Sequence, residues 1–178
     1  MKILKNPRFA ACVMVVVLVA SLFGGTYRTL NKLVREVEQT VYMSGKPDAT
    51  DTIDFQLYVC VDAIMGVITV ANRYDDLSEA TTRLRTARSN LIEATTLLDR
   101  NIAYADMNAT YLALAMVAET VVSEPQDLAE WNAYGDEYRS ATLFLRRLVD
   151  EYNARVDNFP DNLLGVKPHR FEISNWSV

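Results

Sequence analysis

The sequence predicts an all-α protein, an antiparallel bundle of three to four long helices with an N-terminal transmembrane helix. Three observations lead to this prediction. Two long segments repeat apolar residues every seven positions, which is typical of helices that pack side by side. No proline lies between Pro47 and Pro125, and Gly66 is the only glycine in that stretch. An uncharged run of 17 residues, 9–25, precedes both segments.

The uncharged run predicts a membrane anchor and divides the chain into four parts. They are a charged flank (1–8), the anchor (9–25), a helical bundle (27–160) and a C-terminal tail (161–178) that we expect to pack on the bundle. A cleaved signal peptide is the alternative for 9–25. We favour an uncleaved, single-pass anchor, because amphipathic helical sequence continues directly from it. Three basic residues lie on each side of the anchor, and the free amino terminus and the compactness of the first cluster favour a cytoplasmic N-terminus and a body outside the cytoplasm.

The charge balance argues against nucleic acid as a partner. The chain has a formal net charge of −5, and Lys2, Lys5 and Arg8 all precede the anchor. Removing these three from the 18 Lys and Arg leaves 15, against 23 Asp and Glu. Nucleic-acid binding needs a basic face, which an acidic body with dispersed arginines does not provide.

The first heptad segment predicts one helix from Ile53 to about Arg100, roughly 70 Å long at 1.5 Å per residue. Its second half has an apolar seam with leucine and alanine at alternating core positions. The leucines are Leu77, Leu84, Leu91 and Leu98, and the alanines are Ala80, Ala87 and Ala94. We expect a turn near 100–107 and then a shorter helix from Asn108 to Val122, because polar residues interrupt the seam there.

The first half of that helix, Leu57–Ala71, is apolar around nearly its whole circumference. Such a helix is usually buried on every side, although its β-branched residues also permit a strand. Two interpretations remain open, a deeply packed bundle layer and a contact surface for another subunit. In the second, the candidate interaction residues are Leu57, Val61, Ile64, Val67 and Ile68.

The last helix is predicted to begin at Pro125, a residue suited to the first helical position, and to stop at Pro160. It carries the second heptad, formed by Trp131, Tyr138, Leu145, Tyr152 and Phe159. We interpret this aromatic stripe as core rather than as a cofactor site. Phe171 and Trp176 are among the apolar residues that we expect to bring the tail back onto the bundle.

Three segments resemble the LemA family of membrane-anchored helical proteins. Ile53–Leu57 (IDFQL), with Asp62, Ile64 and Tyr74 after it, resembles the family's IDVQL…DLI…Y pattern, and Leu84–Arg88 (LRTAR) is similar to its V-x-x-A-R segment. The run from Tyr152 to Leu163 (YNARVDNFPDNL) fits YN-x-x-V-x-x-FP-x-NL. Met65 replaces a usual proline, so the chain looks like a divergent member. The resemblance implies an antiparallel bundle on an N-terminal membrane helix and implies no reaction.

The sequence does not predict an enzyme. His169 is the only histidine, and Cys12 and Cys60 lie in separate apolar segments, so no metal or nucleophile constellation is apparent. We predict no cofactor. The favoured function is a membrane-anchored scaffold or adaptor, whose partners are the lipid bilayer, other membrane or envelope proteins, and copies of itself. The alternative is an extracytoplasmic sensor or ligand-binding bundle.

Overall fold

A computed structural model describes residues 7–41, 52–160 and 164–171. Within these ranges the protein is all-helical, with five α-helices. They are α1 (Pro7–Gln39), α2 (Ile53–Ala71), α3 (Ser78–Glu93), α4 (Leu97–Val121) and α5 (Pro125–Asp157), with a short 3₁₀ turn at Asp75–Leu77. The all-α prediction is confirmed, and the strand alternative for Leu57–Ala71 is wrong because that segment lies in α2.

Helix α1 joins the apolar run and the amphipathic segment after it without interruption. Its side chains are exposed from Val13 to Thr29, Val37 packs against the bundle core, and Val41, just after the helix, is fully buried in that core. By length and composition α1 can cross a membrane. Helix α2 passes the same test, but half of its residues are buried, as in the core helix of a soluble bundle.

The predicted continuous helix from Ile53 to Arg100 is wrong, because the chain breaks twice. The first break follows Asn72, where polar residues lead into the 3₁₀ turn that buries Leu77. The second separates α3 from α4 at residues 94–96. There the Thr96 hydroxyl accepts a hydrogen bond from the Asp99 amide and donates one to its carboxylate. This reciprocal cap starts a new helix.

Arg100 stabilises the second break from the other side. Its Nε donates to the carbonyl oxygen of Ala94 at 3.1 Å, which occupies an acceptor that the end of α3 leaves without a helical partner. The same guanidinium forms an ion pair with Asp54 at the start of α2. The predicted turn at 100–107 is therefore wrong, because Asp99, Arg100 and Asn101 form the first turns of α4.

The break at 94–96 rotates the leucine heptad out of the core. Leu77 and Leu84 are fully buried and Leu91 nearly so, but Leu98 is 57% exposed. Leu97 takes its place in the core. The prediction that Leu98 fills the seam is therefore wrong, and the reason is a change of helical phase between α3 and α4.

Helix α2 lies at the centre of the bundle and packs mainly against α5, while α3 packs mainly against α4. The contacts between α2 and α5 run in opposite directions along the chain. Cys60 meets Thr142, Gly66 meets Tyr134, and Arg73 meets Asp127. A single core joins these helices with Val41, two residues after the end of α1, and with Phe171 of the tail.

The described part of the tail, 164–171, lies against α5. The Asn153 side chain makes two hydrogen bonds with the backbone of Phe171, at 2.9 and 3.0 Å, and the Tyr152 hydroxyl donates to the carbonyl oxygen of His169 at 2.6 Å. Phe171 is fully buried. Trp176, also expected to pack back, lies outside the described residues, as does the loop at 42–51.

Candidate interaction surface

The five residues predicted to form an interaction surface lie inside the protein's own core. Their exposed fractions range from 0 to 6%, and all belong to the cluster that α2 shares with its neighbouring helices. The deep-packing interpretation therefore describes them, and a partner cannot reach them in this conformation. A helix surrounded by α5 and α3 needs apolar side chains on nearly every side. The five predicted interaction residues are Leu57, Val61, Ile64, Val67 and Ile68.

Helix α2 nevertheless has one exposed line of side chains, formed by Tyr58, Asp62, Met65 and Thr69. Their spacing of three or four residues places them on one face. Counting tyrosine and methionine as apolar concealed this face in the sequence. The line is narrow, and its two polar members interrupt any apolar patch.

Gly66 allows the closest approach between α2 and α5. A Cβ atom built at this position would lie 2.2 Å from the ring of Tyr134, far inside van der Waals contact. The glycine therefore lets the Tyr134 ring lie directly on the α2 backbone. This is a packing role, and it fixes the spacing of the two central helices.

A cluster of polar side chains lies between α2, α4 and α5. The Thr142 hydroxyl lies 3.3 Å from the Tyr104 hydroxyl and 4.0 Å from Sγ of Cys60, and the Tyr138 hydroxyl donates to Oδ1 of Asn108 at 2.9 Å. Burial raises the pKa of the Cys60 thiol to about 12 and raises those of Tyr104 and Tyr138 as well. These groups stay protonated at neutral pH.

The polar cluster consequently has the chemistry of a structural network. A thiol that keeps its proton is a poor nucleophile and a poor metal ligand, and burial denies it to reagents. Among the described residues, no group of three His, Cys, Asp or Glu side chains is placed to hold a metal ion. The hydrogen bonds offset the cost of burying these hydroxyls.

The acidic start of α5 is tied to the end of α2. The Arg73 guanidinium pairs with Asp127 and, at 2.7 Å, with Glu130, while the Tyr74 hydroxyl donates to Asp127 at 2.9 Å. Hydrogen bonds from Tyr74 and Arg73 lower the pKa of the Asp127 carboxyl. The cluster joins the chain after α2 to the start of α5. Its charged side chains are paired with one another, so it has the character of a structural contact and not of a ligand site.

The residues that resemble the LemA motifs make contacts between helices. Arg88, the last residue of the LRTAR segment, donates from Nε to the carbonyl oxygen of Val61 in α2 at 2.9 Å. Tyr152 and Asn153 begin the third motif and hold the tail. The tail in turn reaches α1, because the backbone amide and Nδ1 of His169 lie 3.2 and 3.0 Å from a Glu38 carboxylate oxygen. The motif residues thus connect the bundle with the end of α1.

An exposed apolar surface lies along one side of α4. We call it the α4 outer face and define it by seven residues on one side of the helix, most of them three or four positions apart. Five of them are exposed, Met116 most of all at 75%, while Ala105 and Leu112 are partly buried. The sequence did not predict this face: the candidate interaction residues were on α2, and the helix expected at 108–122 covered only part of α4. The seven are Leu98, Ile102, Ala105, Ala109, Leu112, Ala113 and Met116.

No family model matches this chain, and no curated protein matches it either. The resemblance to the LemA family therefore stays a prediction that depends on the motif residues. The functional argument accordingly depends on the helices and surfaces of this protein alone.

Proposed function

We propose that this protein is a single-pass membrane scaffold, an antiparallel helical bundle that binds partner proteins and catalyses no reaction. The observation that carries the proposal is α1, one uninterrupted helix that is apolar and exposed in its first half and attached to the bundle at its end. Such exposed apolar area is costly in water and is stable in a bilayer.

Helix α1 has the length that this proposal needs. Its 33 residues correspond to about 50 Å at 1.5 Å per residue, and the hydrocarbon core of a bilayer takes about 30 Å of that. The remainder reaches beyond the bilayer, and its Val37 packs against the core of the bundle. A rigid helix of this kind would hold the bundle close to the membrane surface.

The proposed orientation depends on how the basic residues cluster, because three of them also follow the anchor, at Arg28, Lys32 and Arg35. Lys2, Lys5 and Arg8 form a compact positive cluster on the N-terminal side. We propose a cytoplasmic N-terminus and a bundle outside the cytoplasm, since positive flanks are retained on the cytoplasmic side.

The scaffold proposal is preferred to a ligand-binding bundle because the depression of about 500 Å³ at the junction of α3 and α4 is lined mostly by exposed side chains and so does not enclose a ligand. One apolar cleft, of about 170 Å³, lies between α2, α3 and α4 and is closed at one end by the Asp54–Arg100 ion pair. Pockets for small ligands usually measure about 300–1,000 Å³. This cleft supports ligand binding as the second candidate function, and it would take only a small apolar molecule.

Membrane flotation of the full-length protein tests the anchor. We expect the protein to float with vesicles after washing with high salt and with alkaline carbonate. A variant with Val16→Arg and Val19→Arg should not float, because two charges at the centre of a span cost about 5–7 kcal/mol on insertion scales. Both side chains are exposed and distant from the bundle core, so its thermal unfolding should not change. Release of the unaltered protein by carbonate would refute the proposal.

A further inference from the structure

The α4 outer face has the periodicity of a helix-packing seam, yet no described element of the chain covers it. Leu98, Ala105 and Leu112 continue the seven-residue repeat of Leu77, Leu84 and Leu91. The earlier leucines are buried, and the phase change at 94–96 turns the later positions outward. A repeat of 3.5 residues matches the ridge of a second α-helix, which indicates that the missing neighbour is helical.

The centre of this face has small side chains. Ala105, Ala109 and Ala113 are spaced four apart, with the larger Ile102 and Met116 before and after them. Small residues at this spacing let a second helix approach closely, while the larger ones provide apolar contact at both ends. The face therefore has the shape of a shallow groove along α4.

The charges beside the face are all negative. Asp99, Asp106 and Glu119 are exposed on α4, and Glu93 at the end of α3 lines the same depression as Asp99 and Asp106. The only basic residue of α4 is Arg100, which is already engaged with Asp54 and Ala94. Charged residues beside an apolar seam set which helix pairs with it, through attraction and repulsion across the contact.

The acidic edge borders a second depression, at the junction of α3 and α4. This groove measures about 500 Å³, and Ile102 and Ala103 contribute apolar side chains to it. Glu93, Asp99 and Asp106 line it as well. Because Ile102 belongs to both surfaces, the groove extends the α4 outer face towards α3 and widens its negative edge.

A second copy of this chain is a poor occupant. In a symmetric pair of α4 helices, Asp106 lies beside the middle of the face and would approach Asp106 of the other copy. Like charges facing each other across a contact are destabilising. The chain as a whole is also acidic, with a net charge of −5. The negative residues beside the α4 outer face therefore favour a positively charged partner.

We propose that the α4 outer face binds a basic amphipathic helix of another protein. Its apolar side would lie on Ile102, the alanines and Met116, and its lysines or arginines would pair with Asp99, Asp106 and Glu119. The proposal deepens the scaffold function, on which it rests, by stating the chemistry of the partner. The binding mode is an amphipathic helix laid in a groove.

A pair of synthetic peptides tests this proposal directly. Each has about three heptads with Leu and Ile at the seam positions, and the flanking positions are Lys in one peptide and Glu in the other. Fluorescence anisotropy measures binding to the full-length protein in phosphatidylcholine nanodiscs, with empty nanodiscs as the blank. We expect the Lys peptide to bind, the Glu peptide to bind at least about tenfold more weakly, and added salt to weaken the first.

Three variants connect the binding to the face. Ile102→Gln should weaken the Lys peptide roughly tenfold, and Asp106→Lys should shift preference towards the Glu peptide. Leu143→Gln is the matched control, because Leu143 is equally exposed but lies on α5, and it should leave binding unchanged. All three side chains are exposed, so each variant should have the same melting temperature as the unaltered protein by far-UV circular dichroism.

Each other outcome overturns the proposal. Equal binding of the two peptides, or binding that survives Ile102→Gln, would show that the face does not select a basic helix. A dimer mass by light scattering that Ile102→Gln reduces to a monomer would assign the face to a second copy. If the Lys peptide does not bind but the protein still floats with vesicles, only the proposed partner is rejected. Loss of flotation instead rejects the membrane anchor of the scaffold.

Discussion

Two leucines of one heptad repeat, Leu84 and Leu98, are expected to differ in how much the same substitution lowers stability. Leu84 is fully buried in α3, and Leu98 is 57% exposed in α4, although 14 residues, or two heptads, separate them. Leu84→Ala leaves a cavity between helices, whereas Leu98→Ala removes a side chain that is mostly in contact with solvent. The comparison isolates the phase change at 94–96, because chemistry and heptad position are the same.

The structure sets the size of the difference. Leu84→Ala should lower the free energy of unfolding by about 2–5 kcal/mol, the cost of a buried leucine plus the cavity that it leaves. Leu98→Ala should change it by no more than about 0.5 kcal/mol, as surface substitutions do. For a chain of this size, a loss of about 3 kcal/mol lowers Tm by roughly 6–12 °C.

Thermal unfolding of the full-length protein in detergent, followed by far-UV circular dichroism, measures both variants against the unaltered chain. The melting transition of Leu84→Ala should move clearly, and that of Leu98→Ala should coincide with the unaltered protein. If Leu98→Ala were as destabilising as Leu84→Ala, Leu98 would lie in the seam. A continuous helix through 94–96 would then be correct, and the exposed α4 outer face would not exist.

Three further predictions concern packing, pH and the tail. Gly66→Ala should destabilise the bundle by about 1–3 kcal/mol, because its methyl group overlaps the Tyr134 ring; a melting temperature equal to that of the unaltered protein would contradict this contact. The Cys60 pKa is about 12 in the folded protein, against an ordinary value of 9.0. Since only the unfolded thiol releases its proton between these values, stability should be complete below pH 9 and decline as the pH rises towards 12. Tm measured against pH should show that decline, less steeply in Cys60→Ala, and a Tm that rises over this range would oppose it. Asn153→Ala should cost about 1–3 kcal/mol by removing both partners of the Phe171 backbone, and limited proteolysis should then cleave the tail sooner; unchanged cleavage would argue against the tail contact.

The helical class and several helix boundaries were predictable from local signals. Pro125 occupies the first turn of α5, as predicted, and Thr52, a residue type that favours this position, caps α2. Both residues act through the backbone beside them, so their effect depends little on the rest of the protein. The apolar run of α1 could also be recognised from the sequence, because a helix that can cross a bilayer needs a continuous apolar segment.

The break at 94–96 was harder to predict, because two signals overlap there. The leucine heptad continues through it without a gap, while the Thr96–Asp99 cap requires a new helix to begin. Arg100 decides between them through contacts with Ala94 and Asp54, and Asp54 is distant in sequence. Sequence periodicity carries no information about such a contact.

The burial of the five candidate interaction residues was hard to predict for a related reason. An apolar helix such as α2 and an apolar stripe such as the α4 outer face look alike in composition, and their burial depends on which neighbours cover them. Helix α5 and α3 cover α2, so Val61 and Val67 are core residues. Nothing described covers Ile102 or Met116, and only the assembled bundle distinguishes the two cases.

Site-specific photo-crosslinking in native membranes tests the scaffold function most directly. A photoreactive amino acid replaces Ile102 on the α4 outer face or, as a control, Leu143 on the outside of α5. We predict a discrete adduct with another membrane or envelope protein from position 102, none from position 143, and loss of the adduct when Asp106→Lys is added. Equal adducts from both positions, or none from position 102, would contradict a scaffold that binds partners through α4.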